Sequence, residues 1–332
     1  MSTYHFQEAI FRLIKQHLPE SQSMAETVSS ILDISTDSAY RRIRNETQIE
    51  LDEAQKLCRH FNLSLDNLMG LNEDKIIFSS NLINQEPFDF EAYMVALLRN
   101  MKYLHTFQEK KLYYVCKEIP VFFYFHSREI AAFKYYFWMK FLLQQPAFSN
   151  RKFSLEDYPD SLFNLGRQAY DLYNALPSVE FWNIESINSI LRQIKFFYDT
   201  GCFTKRADVS LVYEKLLELI IYIEEISDRG YKRQVHQAAG SLPDAAFDMY
   251  HNEVILGSNF IIARLDHTQL TFINHSALDY AVTADLRFGE YSFKFIENLV
   301  KSSTRLSSNN AVERSAFFAE LRKIIRHSMD SL

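Results

Sequence analysis

Glycine is scarce in this sequence, 7 residues of 332, which counts against glycine-rich phosphate loops and folds built on many tight hairpins. Cysteine is scarcer still. Cys58, Cys116 and Cys202 are far apart and odd in number, so they fit neither a disulfide framework nor a zinc module with CxxC spacing, and a reducing cytoplasm is the expected location. Positive charge is in deficit. With a net charge of -6, no global basic field attracts nucleic acid, and any DNA affinity has to come from a local cluster. Long apolar runs are missing too: the longest, near residues 119–125, is far short of the ~20 residues that a membrane span needs. The N-terminal MSTYHFQEAIFRLIKQHL spaces Phe6, Ile10, Leu13 and Ile14 like a helix but has neither an unbroken apolar core nor a small-residue cleavage site. It does not read as a signal peptide, and no membrane partner is expected.

Catalytic patterns are equally thin. His126 with Glu129 and His251 with Glu253 are near neighbours in sequence, but no HExxH or Cys/His ligand set completes a metal site. No Walker loop or GxSxG elbow is present, and acid pairs such as Glu224-Glu225 fit the solvent side of amphipathic helices. The expectation is a protein that is not an enzyme, with no cofactor and no metal.

What is present is enough apolar sequence, 47% of the chain against 23% charged residues, to bury a sizeable core in two domains. Five short helix signals fill residues 1–72. The first runs from about His5 to His17 and stops at Pro19. The second starts at a capping box, Ser23 with Glu26 three residues on, and carries Val28, Ile31 and Leu32 on one face. After Asp33-Ile34-Ser35 a third helix spans residues 36–45, with Ser35 placed to cap its first turn. The fourth, residues 51–61, aligns Leu51, Ala54, Leu57, Cys58 and Phe61 as one buried stripe, which makes Cys58 a core residue. A fifth, LSLDNLM, opens at Ser64 and closes at Gly70.

On a wheel of ~100° per residue, a third helix centred on Ile43 buries Ala39 and Tyr40 and points Arg41 outward. Asp37, Ser38 and Asn45 share the outer face, and Arg42 and Arg44 flank it. Such a face suits a major groove: Arg41, Asp37, Ser38 and Asn45 can reach base edges, and Ser35, Thr36, Arg42 and Arg44 can contact phosphates.

The order of these five helices, the passage through D-I-S into a polar-to-basic third helix, and the following LDEAQKLCRHFNLSLDNLM resemble the Xre/Cro/C1 class of bacterial helix-turn-helix domains. The resemblance covers roughly the first fifth of the chain, and its specificity lies in the spacing of the whole set. It implies a DNA-reading third helix. The sequence departs from the family at three positions: Asp33 stands where a turn glycine is usual, Ser29 where a smaller residue is usual, and Ala25 where a Gln often opens the second helix. Asp tolerates left-handed backbone angles better than most residues, so the turn can survive, and a turn one residue longer than usual places Tyr40 and Ile43 inside. Residues 1–72 hold seven Lys or Arg against ten Asp or Glu. A solvated helix face or a protein-binding surface would tolerate that balance; the element order, rather than the charge, favours DNA.

Beyond a loosely patterned linker, residues 73–88, helix signals dominate residues 89–332: about 90–107, 128–143, 161–176, 178–198, 211–226, 276–284, 290–301, and a C-terminal segment opened by Asn310 with Glu313. Residues 111–116 read as a short strand. Residues 259–264 and 269–274 read as a hairpin across LDHT. The expected fold is therefore mainly α: a five-helix domain and a larger helical domain with one short β-hairpin, a tetratricopeptide-like array being left open. The aromatic-dense residues 113–141 suit either a pocket for a planar effector or a helix core or dimer interface, and most such side chains simply pack. No effector residue is assigned.

These features point to a sequence-specific, double-stranded-DNA-binding transcriptional regulator. A homodimer is expected because one short helix reads few base pairs. The helical second domain would supply dimerisation, with a small-molecule or protein effector left open. The alternative is a helical interaction scaffold whose helix-turn-helix-like domain binds protein.

Overall fold

The computed structural model describes residues 6–19, 22–61, 63–68, 75–80, 88–232, 244–254, 257–276 and 278–332. Five helices come first: α1 (Phe6–His17), α2 (Met24–Leu32), α3 (Thr36–Ile43), α4 (Leu51–Phe61) and the single turn α5 (Leu65–Leu68). Their apolar stripes converge on Ile10, Phe11, Ile14, Val28, Leu32, Ala39, Ala54, Leu57 and Cys58. All the helices expected in this part form, and Cys58 is buried as its stripe predicts. Leu51 is the exception: it is 70% exposed, because the first residue of a helix lies past the edge of the stripe that the next turns bury.

The rest of the chain departs from a mainly helical design. Among the described residues a nine-stranded mixed sheet runs through it in the order β1-β8-β7-β6-β2-β3-β5-β4, with β9 (Thr304–Arg305) also paired to β5. Its centre is parallel: β2 (Lys110–Cys116) pairs with β3 (Ser178–Trp182), and β3 with β5 (Ala245–His251). The β2-to-β3 crossover carries α7 (Arg128–Phe137) and α8 (Asp160–Asn174). The next carries α9 (Asn188–Asp199), α10 (Arg206–Arg229) and the edge strand β4 (Tyr231–Lys232). An antiparallel run completes the other side: β6 (Phe260–Leu265) pairs with β2, then come β7 (Thr268–Asn274), β8 (Tyr280–Thr283) and β1 (Ser79–Ser80). The expected hairpin is β6–β7, joined through Asp266 and His267.

The sheet has two buried faces. Leu112, Tyr114, Trp182, Phe247 and Met249 face the large core shared with α7–α10, α6 (Phe90–His105) and α12 (Ala311–Asp330). Val115, Val179, Phe181 and Ile262 face α11 (Leu286–Ser302), which contributes Ile296 and Leu299. This double burial explains the main correction. In β3 all five residues of SVEFW are buried, so the strand shows no alternation and its apolar run merges in sequence with the helix that follows. Residues 178–182 are strand, not the start of a helix, and residues 280–283, also expected as helix, form β8. The mainly α fold and the tetratricopeptide-like array are thereby replaced by a layered α/β arrangement.

A buried polar cluster ties the layers together. Glu180 of β3 accepts hydrogen bonds from the Tyr173 hydroxyl, from Trp182 Nε1 at 2.8 Å and from Ser178 Oγ at 3.3 Å. Lys232 donates to the Tyr173 carbonyl at 2.8 Å and to Ser178 Oγ at 3.1 Å. Burial pushes the Glu180 carboxyl up against the opposing pull of Lys232, and burial brings the Lys232 ammonium down to about 7 against the pull of Glu180. Each carries several partners, the condition under which buried ionisable groups are tolerated.

Within the stretch expected as a linker, Ser79 and Ser80 pair with Val282 and Ala281, and Phe78 packs edge-on against Phe288 at 5.3 Å. Among the described residues, no helix is long and apolar enough to cross a membrane.

Candidate nucleic-acid interface

The passage from α2 to α3 is built by three side chains. Ser23 caps α2 by accepting from the Glu26 amide at 3.4 Å. Asp33 ends it at φ 57° and ψ 48°, so the position where the resembling family carries glycine adopts the left-handed conformation that a glycine would. Ser29 then crosses the turn, its hydroxyl donating to the Ile34 carbonyl at 2.6 Å. Ser35 opens α3, accepting from the Ser38 amide at 3.2 Å and donating to Ser38 Oγ at 2.9 Å. At the far end Asn45 sits at φ 59°. The Glu46 amide donates to the Arg41 carbonyl at 2.8 Å and the Asn45 amide to that of Arg42 at 3.0 Å, a Schellman pair that stops the helix.

Two residues lock α3 from behind. Gln7 of α1 donates to the carbonyls of Arg42 at 2.7 Å and Thr47 at 2.8 Å, and accepts from the Ile49 amide at 2.9 Å. Glu53 of α4 holds Arg42 through Nε at 2.9 Å and Nη2 at 2.8 Å, and also accepts from the Glu50 amide at 3.1 Å. Burial raises the Glu53 carboxyl, but the Arg42 hydrogen bond, the Glu50 amide and the Arg42 charge together hold it below its ordinary value.

The expected contact residues divide accordingly. Thr36, Asp37, Arg41 and Arg44 are exposed on the outer side of α3, and among the described residues Arg41 makes no ion pair. Arg44 is held loosely, 5.6 Å over the Tyr40 ring and 4.0 Å from Glu46. Arg42 does not join this face: its side chain is 16% exposed and committed to Glu53, so it buttresses the helix instead of reaching for phosphate. Ser35 and Ser38 are committed to the cap. Asn45 ends the helix and donates to Glu8 Oε1 at 3.1 Å.

Tyr40 reverses in the other direction. Expected in the core, it is 46% exposed, while Ala39 is fully buried and Ile43 half-buried. On the wheel Tyr40 and Arg42 lie about 100° to either side of Arg41, and neighbouring helices decide which flank is covered. Gln7, Glu8 and Glu53 were not singled out from the sequence. Only Glu53 carried a local signal, its place in the first turn of a helix, where a Glu can reach back to the cap amide.

The resulting surface is a short helix, pinned at both ends, that presents an acid, an aromatic ring and two guanidinium groups. Residues 5–82 match the family model of the BetR domain. The N-terminal part of the chain is thus similar to a family of helical, DNA-binding-like domains. The match passes the five helices and takes in β1 at Ser79–Ser80. No curated protein and no solved structure matches the chain.

Proposed function

We propose that the chain is a sequence-specific DNA-binding transcriptional regulator of Xre/Cro/C1-like design, acting as a homodimer on double-stranded DNA with α3 in the major groove. The observation that carries this reading is the exposed Arg41, without an ionic partner among the described residues, at the centre of a helix held rigid by Gln7 and Glu53. Arg41 is the residue for bidentate contact with guanine, and Asp37, one turn earlier, can accept from cytosine N4. Tyr40 offers an apolar edge to a thymine methyl group. Arg44 and Thr36 lie toward the phosphates, which position the helix without reading sequence. Dimerisation follows from the few base pairs that one such helix covers; two half-sites about one helical turn apart supply the rest.

The test is a selection from random duplexes with the full chain at moderate salt. A defined half-site is expected, and Arg41→Ala should relax preference at one position at a cost of about 1–3 kcal/mol on the preferred base. If the selected pool stays random, the DNA reading fails. The acid excess of residues 1–72 would then favour the reading as a protein-binding scaffold.

A further inference from the structure

A cavity of about 1500 Å³ opens between α6 and the face of the sheet made by β2, β6, β7 and β8. It is larger than the ~300–1,000 Å³ of most small-molecule pockets, because it continues outward to the first helical unit, where Leu13, His17 and Phe61 line it. Apolar side chains, among them Leu97, Met101, Ile261 and Phe272, supply the larger part of its walls, with polar ones such as Asn100 and Asn274 between them.

The deep end is different. Lys134 is 1% exposed, and its ammonium donates to Gln193 Oε1 at 2.9 Å and lies 4.4 Å from the centre of the Tyr124 ring and 5.5 Å from that of Trp138. Tyr124 and Trp138 are themselves 2% and 1% exposed, and among the described residues neither the Tyr124 hydroxyl nor Trp138 Nε1 has a hydrogen-bond partner. All three side chains line the cavity. Buried donors are normally satisfied, and three side chains that carry them line this one chamber, which marks a place for an acceptor-only group. An ionised carboxylate is such a group, with two oxygens and no proton to donate. Burial brings the Lys134 ammonium down to about 8, and the charge of Glu118 opposes that shift. Glu118 also lines the chamber; its charge weakens the hold on any anion, and twice as much on a headgroup carrying two negative charges as on one carrying a single charge.

We propose that this cavity binds a monocarboxylic acid with an extended apolar body, its headgroup on Lys134, Tyr124 and Trp138 and its tail directed toward the first helical unit. The tail would then lie against Leu13 and Phe61, on the elements that carry α3, and its presence would alter duplex affinity. Ligand binding stands independently of the DNA reading; the coupling to DNA rests on it.

The full chain is titrated with decanoate by calorimetry, with decan-1-ol as a neutral match of equal length. Saturable single-site binding of decanoate is expected, at least about tenfold tighter than decan-1-ol. Lys134→Met keeps the side chain long and apolar and should weaken decanoate by about tenfold or more while leaving decan-1-ol unchanged. Tyr124→Phe, which removes only the hydroxyl, should weaken it several-fold. Equal binding of acid and alcohol, undiminished binding by both variants, or no decanoate binding at about 1 mM overturns the proposal. Should decanoate bind as described and the affinity for a selected duplex stay unchanged at saturation, the site stands and its coupling to DNA is overturned.

Discussion

Arg42 and Tyr40 decide what α3 can offer. Both lie on the flanks of the helix wheel, where sequence alone leaves the choice of inside and outside to whatever stands opposite. For Arg42 that is Glu53, eleven residues on and in a different helix. A bidentate pair with both side chains 16% exposed is worth more than a solvated surface pair and less than a fully buried one, roughly 1–2 kcal/mol. Arg42→Ala and Glu53→Gln should each lower unfolding stability by about that amount in urea titrations, rather than removing a DNA contact from an intact domain. The pH dependence has a definite sign. Glu53 in the folded chain titrates below its ordinary value near 4.5, so its contribution is fully present above that value and disappears as pH falls through the lower, folded one. The gap in stability between the parent chain and Glu53→Gln should therefore be constant at neutral pH and close on acidification. A gap that widens in acid would contradict the ion-pair role.

Among the elements, helices that bury one stripe were legible, whereas β3, with every residue buried, was not. The helices of the first unit came through because Val28 and Leu32, or Ala54, Leu57 and Cys58, repeat at helical spacing and end in recognisable caps. The β6–β7 hairpin came through its β-prone runs about a tight connection. In contrast, β3 is hidden by its own burial, and β5 pairs with β3 across a long sequence separation that no local pattern announces. The α2–α3 turn lies between these cases: Asp33 could be placed at the turn from sequence, and its φ of 57° bears this out. A non-glycine residue there carries a backbone cost, and its exposed side chain contributes little in return. Asp33→Gly is expected to raise stability by up to about 1 kcal/mol, and Asp33→Val, branched at Cβ, to lower it by about 1 kcal/mol or more. Thermal unfolding of the two variants checks the order; a valine variant as stable as the glycine one would mean that the turn tolerates another conformation.

For the whole molecule, the question is how a chain of net charge -6, whose first 72 residues hold more acids than bases, can hold a polyanion. The committed cations narrow the answer: with Arg42 turned to Glu53, the charge that the proposed docking of α3 leaves for phosphates rests on Arg44, exposed and only loosely paired. Under the proposed function, few contacts per protomer mean a modest salt dependence, and doubling them is the electrostatic argument for the proposed dimer. Each phosphate neutralised contributes about -0.9 to the slope of log affinity against log salt. Arg44→Ala should accordingly weaken all duplexes alike and make that slope shallower by about two if two protomers bind, or about one if a single protomer does. Arg41→Ala should instead lose discrimination between sequences more than overall affinity. Measuring the slope for the parent chain and both variants on one selected site and one scrambled site separates the roles and counts the protomers. An unchanged slope for Arg44→Ala would remove Arg44 from the phosphates and leave the proposed docking of α3 without its electrostatic support.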